Sequence, residues 1–268
     1  MQQSIVSAEW LNENRNNPDL IILDATQTKN RQDIQIRGAR YFDIKNVFSD
    51  INSPYPNMLP DAVHFEKNCR ILGINKSSQI VVYDNVGIYT SPRVWWMFKT
   101  MGHENVAVLN GGFPVWLKRG FETQNVTKRV YKMGDFSAHF DANNVRDFDF
   151  VKDNISQQNA LVIDARSAGR FNGTEPEPRA GLRGGHIPNS VSIPFKTLLD
   201  EEGKYKSKEE LEKVFNTVIS EDKPLIFSCG SGITACVVLL ASEGILEKEK
   251  AVYDGSWTEW AQRETGEN

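Results

Sequence analysis

Short, unbroken apolar runs punctuate the chain near residues 20–24, 79–83, 105–109, 160–164, 224–228 and 250–253, and apolar positions recur at helical spacing between them. A run that is apolar at every position, not at every second one, suits a strand covered on both faces. The alternation predicts an α/β protein built on parallel sheets flanked by helices. Pro224 to Ser228 reads as one such strand, and Ile233 to Ser242 (ITACVVLLAS) as a helix stopped by Gly244.

The series of elements occurs twice, at an offset of roughly 140–145 positions. Leu20-Ile21-Ile22-Leu23-Asp24-Ala25 matches Leu161-Val162-Ile163-Asp164-Ala165, and Arg37-Gly38-Ala39-Arg40 parallels Gly185-His186-Ile187-Pro188. Ile80-Val81-Val82-Tyr83-Asp84 parallels Leu225-Ile226-Phe227-Ser228-Cys229, and Asn110-Gly111-Gly112 through Trp116 parallels Asp254-Gly255-Ser256 through Trp260. This predicts two tandem domains, 1–122 and 148–268, joined by a polar, poorly periodic linker at 123–147. The alignment puts Asp84 where Cys229 stands, so the first domain has the framework without the thiol.

Cys229 lies in the loop Cys229-Gly230-Ser231-Gly232-Ile233-Thr234, between the predicted strand and the predicted helix. Unpaired N–H groups converge at a helix N-terminus, and glycines let a loop turn its N–H groups inward around an anion. Surroundings of this kind favour the thiolate form of a cysteine. Gly230, Gly232, Ile233 and Thr234 are thus the expected cradle of a sulfur anion on Cys229. The plainer alternative is a buried cysteine in a glycine-bearing turn.

Composition narrows the field. The chain has 268 residues, 40% hydrophobic and 25% charged, with a formal net charge of −4, which disfavours a broad nucleic-acid footprint. Its three cysteines, Cys69, Cys229 and Cys236, show no paired spacing for a disulfide framework or zinc, and Cys69 and Cys236 fall on apolar helix faces. His64, His103, His139 and His186 are scattered, so neither a metal nor another cofactor is expected. No apolar run reaches the roughly 18–20 residues of a membrane span, and Met1 to Trp10 lacks signal-peptide or transit character. The expectation is a cytoplasmic protein of a reducing compartment with no membrane partner, a mitochondrial location being left open.

The ordered set Cys229 to Thr234, Gly169-Arg170-Phe171 with Glu175-Pro176-Glu177-Pro178-Arg179, Gly185-His186-Ile187-Pro188, Ser91-Pro92-Arg93-Val94-Trp95-Trp96 and Asp254-Gly255-Ser256-Trp257 resembles tandem rhodanese-type sulfurtransferases, specifically the 3-mercaptopyruvate sulfurtransferase group. The resemblance implies a Cys229 persulfide formed from 3-mercaptopyruvate with release of pyruvate. The sulfur then passes to cyanide or to a thiol such as thioredoxin or a low-molecular-weight thiol. It implies that Ser231 assists sulfur abstraction, that Arg170 and Arg179 bind the keto acid, and that Tyr89 offers a hydroxyl near the persulfide. Guanidinium forks suit a planar carboxylate, while Ser231 could also cap the following helix. Arg166 reads as a structural partner of a carboxylate.

The thiosulfate-using branch of this family carries cations in the loop, where this chain has Gly230 and Ser231. The chain also departs from the group's pattern. A relay acid expected two residues after Asp43 is Lys45, so that either Asp43 or Asp50 substitutes or the relay is dispensable, and the pocket histidine position before Met58-Leu59-Pro60 holds Asn57. Competing functions are a thiosulfate sulfurtransferase and a persulfide carrier or interaction module. A cysteine phosphatase is disfavoured because position 235 is Ala and the next arginine is Arg263.

Overall fold

In the computed structural model, which describes residues 3–219 and 222–264, two five-stranded parallel sheets repeat one strand order. The first runs Ile5–Val6, Val106–Leu109, Gln79–Tyr83, Leu20–Asp24, Arg40–Tyr41. The second runs Val145–Arg146, Lys250–Tyr253, Leu225–Ser228, Leu161–Asp164, Val191–Ser192. All six predicted strands are present. The four two-residue edge strands escaped the sequence pattern because two residues carry no period.

The chain divides into two units. The first takes the chain up to Asp50, Leu59–Asp141 and Glu201–Tyr205; the second takes Ile51–Met58, Ala142–Asp200 and Lys206 onward. The segment expected as a linker at 123–147 is structured and splits between the units. Thr123–Asn125 pairs antiparallel with Ile34–Ile36, Phe136 packs 5.8 Å from both Phe65 and Phe98, and Arg70 Nε donates to the Phe136 carbonyl at 2.7 Å. Hydrogen bonds of backbone and side chains and isolated aromatics such as Phe136 and Tyr131 hold this stretch, and neither leaves a periodic signature in sequence.

In the first unit, Val81, Tyr83, Ala107, Leu109, Phe113 and Trp116 belong to one apolar core cluster; in the second, Val162, Ile187, Ile226, Tyr253, Trp257 and Trp260 do. The central strand Leu225–Ser228 is buried throughout, in register with Leu161–Asp164 on one side and the Lys250–Tyr253 strand on the other. Its C-terminal end therefore opens where two flanking strands also end, the usual ligand-binding edge of a parallel sheet. The following helix is Ala235–Ser242, two residues shorter at its start than the apolar run suggests. Ile233 and Thr234 belong to the turn instead. Among the described residues no helix is long and apolar enough to cross a membrane.

Candidate active site

Cys229 is the first residue beyond the central strand and is 2% exposed. The turn it opens is fastened to Tyr253–Thr258 by main-chain bonds. Trp257 N–H donates to the Cys229 carbonyl at 2.9 Å, and Thr258 N–H to the Gly230 carbonyl at 3.1 Å. The Ser256 hydroxyl oxygen accepts the N–H of Cys229 at 3.2 Å and that of Gly232 at 3.1 Å, while donating to the Tyr253 carbonyl at 2.9 Å. Of the expected cradle, the Gly232 N–H is thus already taken by Ser256, as is the N–H of Cys229 itself. Those of Gly230, Ser231, Ile233 and Thr234 meet no acceptor among the described residues.

Ser256 holds φ at 52°, in the left-handed region that a serine rarely occupies. Its counterpart in the first unit, Gly112, has φ 55° and carries no such cost. Backbone strain of this kind persists only where surrounding bonds over-determine it. The two N–H groups of the cysteine turn are those bonds here.

The first unit shows what the same turn does around a fixed anion. Asp84 Oδ2 accepts N–H groups from Tyr89, Thr90 and Ser91 at 2.9–3.0 Å and the Ser91 hydroxyl at 2.8 Å, and Oδ1 accepts Val86 N–H at 3.0 Å. A carboxylate sits where the second unit has a thiol, with main-chain donors gathered around it. Tyr89 lies in this loop of the first unit, half-buried, with its N–H on Asp84. Asp43 spends its carboxylate on its own turn, accepting the N–H of Asn46 at 3.0 Å and of Lys45 at 3.3 Å.

Arg170 and Arg179 both reach the turn in the second unit. Arg170 sits on the short helix Ala168–Phe171, started by Ser167. A Cβ added at Gly230 would lie 2.7 Å from Arg170 Nη2, so a side chain there would push the guanidinium aside. Arg179 Nη1 is 3.4 Å from Thr258 Oγ1, which itself donates to the Gly230 carbonyl.

Glu177 places Arg170. Its carboxylate, 1% exposed, takes Arg170 Nη2 at 2.6 Å and Nε at 3.1 Å, and Arg166 Nη1 at 2.7 Å. Arg166 is buried on Asp164 and bonds the Gly185 carbonyl, which makes it the structural arginine expected from the sequence. Holding one guanidinium on a buried, doubly bonded carboxylate fixes its direction at small entropic cost.

Ser231 does not cap the helix: Thr234 is the cap residue, and Ser231 Oγ instead lies 3.0 Å from Asn57 Nδ2. Cys69 and Cys236 are fully buried core residues; burial pushes the Cys69 thiol up, and the Cys236 thiol donates to the Gly232 carbonyl. His186 stacks on Phe171 with centroids 4.0 Å apart and bonds its carbonyl, a packing role. Ser256, Thr258 and Glu177 lay in quoted motifs without an assigned part. Only contacts across the chain reveal what they do.

This arrangement, a cysteine turn with main-chain donors beside two arginines, occurs on a repeated α/β unit, and both repeats, residues 7–119 and 147–263, match the Rhodanese-like domain model. The chain belongs to the rhodanese family. Mus musculus 3-mercaptopyruvate sulfurtransferase is 39% identical over 277 residues, 97% of this chain and 93% of that one. Rattus norvegicus thiosulfate sulfurtransferase is 38% identical over 279 residues, 98% and 93%. The crystal structure of SseA from Escherichia coli, described as a 3-mercaptopyruvate sulfotransferase, matches with a TM-score of 0.85 at 36% identity, covering 96% of this chain and 99% of that one. The protein is a sulfurtransferase. Identities of 39% and 38% do not separate the two donors named by its relatives.

Proposed function

We propose that the second unit transfers the thiol sulfur of 3-mercaptopyruvate through a Cys229 persulfide to a thiol or cyanide acceptor, the first unit lacking the nucleophile. The observation that carries this reading is the absence of any cation within Cys229–Thr234, with guanidiniums placed beside the turn at Gly230 and Thr258. A sulfonate bearing the transferable sulfur needs positive charge at the reacting end. A keto-acid thiol brings a neutral reacting end and a carboxylate at the other, which suits a neutral turn flanked by Arg170 and Arg179.

In the first half-reaction the Cys229 thiolate attacks the donor sulfur and the donor C–S bond breaks. The electron pair passes to the methylene carbon as the enolate of pyruvate. Ser231 relays the thiol proton: its hydroxyl gives a proton to that carbon and takes the one from sulfur. Pyruvate leaves and a persulfide anion remains, which the N–H groups of Gly230, Ser231, Ile233 and Thr234 stabilise. An acceptor thiolate or cyanide then attacks the outer sulfur and restores the Cys229 thiolate. Thioredoxin-like dithiols are among the proposed acceptors.

Incubation with mercaptopyruvate is expected to release pyruvate and add one sulfur mass at Cys229, with kcat/KM more than about tenfold above that for thiosulfate. Arg170→Lys and Arg179→Lys should raise the mercaptopyruvate KM. A higher kcat/KM for thiosulfate, or no mass gain on Cys229, would overturn the assignment.

A further inference from the structure

Asn57 belongs to Ile51–Met58, a segment that groups with the second unit although the sequence on either side of it belongs to the first. Its φ is 62°, a left-handed conformation that asparagine tolerates better than most residues. Its Nδ2 is 3.1 Å from the Ser231 carbonyl and 3.0 Å from Ser231 Oγ. The orientation of the amide is fixed chemically: a main-chain carbonyl can only accept, so the atom facing it is the nitrogen. The same nitrogen must then donate to the hydroxyl oxygen as well. Ser231 is held by a lone pair, and its own proton is left to point away from Asn57.

From this geometry we infer that Asn57 is a positioning residue for sulfur abstraction, orienting the Ser231 hydroxyl with its proton toward the donor. The inference rests on the relay role proposed for Ser231. An amide neither gains nor loses a proton at ordinary pH. The relay therefore closes on the substrate itself: the thiol proton moves to Ser231, the Ser231 proton moves to the departing carbon, and neither residue changes charge. A histidine in this place would add a group titrating near pH 6.5. Asn57 removes that dependence while keeping the hydrogen bond.

Single-turnover pyruvate release separates the possibilities, using the full chain and the variants Asn57→Ala, Asn57→Asp, Ser231→Ala and the Asn57→Ala/Ser231→Ala pair. The Asn57→Ala variant should slow the pyruvate burst about tenfold, at the low end of what proton transfer by a side chain contributes. The mercaptopyruvate KM should stay near its starting value, because the guanidiniums are untouched. The double variant should be no slower than Ser231→Ala alone, since the two residues act as one unit. Discharge of preformed persulfide to cyanide, which needs no relay, should be unchanged. Asn57→Asp preserves shape but presents an acceptor that captures the Ser231 proton, and it should slow the burst too. A slow burst in Ser231→Ala with a normal one in both Asn57 variants overturns the inference alone, as would additive losses in the double variant. A normal burst in Ser231→Ala overturns the relay, and this inference with it.

Discussion

Replacing Ser256 with glycine and with alanine tests whether the strained serine exists to hold the cysteine turn. Either change leaves the N–H groups of Cys229 and Gly232 without their acceptor, at about 1–3 kcal/mol each when buried. Glycine recovers about 1–2 kcal/mol because φ of 52° ceases to be strained, and loses about 0.5–1 kcal/mol through its looser unfolded chain. Alanine keeps the strain. The Ser256→Gly protein should therefore be more stable than Ser256→Ala by about 1 kcal/mol, both lying below the starting protein. Urea unfolding reads that order. Sulfur transfer should behave differently: both variants release the same two amides, so kcat with mercaptopyruvate should fall by a similar factor of about ten in each. An unchanged kcat in Ser256→Gly, or a loss of activity that follows stability and not the missing hydroxyl, would refute this role for Ser256. Gly112 offers no matching experiment in the first unit, because a Cβ there would lie 2.3 Å from the Gly87 carbonyl oxygen.

Gly230→Ala should displace the Arg170 guanidinium from the turn, since the added methyl would lie 2.7 Å from Nη2; the mercaptopyruvate KM is expected to rise about tenfold with a smaller change in kcat. An unchanged KM would separate Arg170 from donor binding. His103 is buried in the first unit with Nε2 on the Ser78 carbonyl at 2.9 Å, and burial lowers its pKa from 6.5. The unfolded chain then binds the extra proton, so His103 costs nothing above pH 6.5 and destabilises the fold progressively as pH falls from there toward its folded pKa. Urea midpoints measured between pH 7 and 5 should drop less steeply in His103→Gln, and parallel curves would refute the assignment.

The two units show how one local framework serves different ends. After the same central strand, one turn closes its donors on a carboxylate built into the chain, and the other, which opens on a thiol, has four N–H groups that meet no acceptor among the described residues. Asp84 thus fills in the first unit the place that a sulfur anion is proposed to fill in the second.

Periodicity alone determined the six central strands, the duplication, and Cys229 at the end of a buried strand, because continuous burial and a glycine-flanked turn leave marks within a few consecutive residues. The arginines of the site were legible only through ordered motifs, since an isolated arginine reads as a surface charge. Tertiary structure decided the rest. Asn57 reaches Ser231 across 174 positions, and the Ser256 hydroxyl closes on Cys229 and Gly232 across 27 and 24. It also decided that 123–141 packs into the first unit and that Thr234, not Ser231, precedes the helix. Hydrogen bonds between residues distant in sequence have no period, and their partners become neighbours only once the sheets have formed.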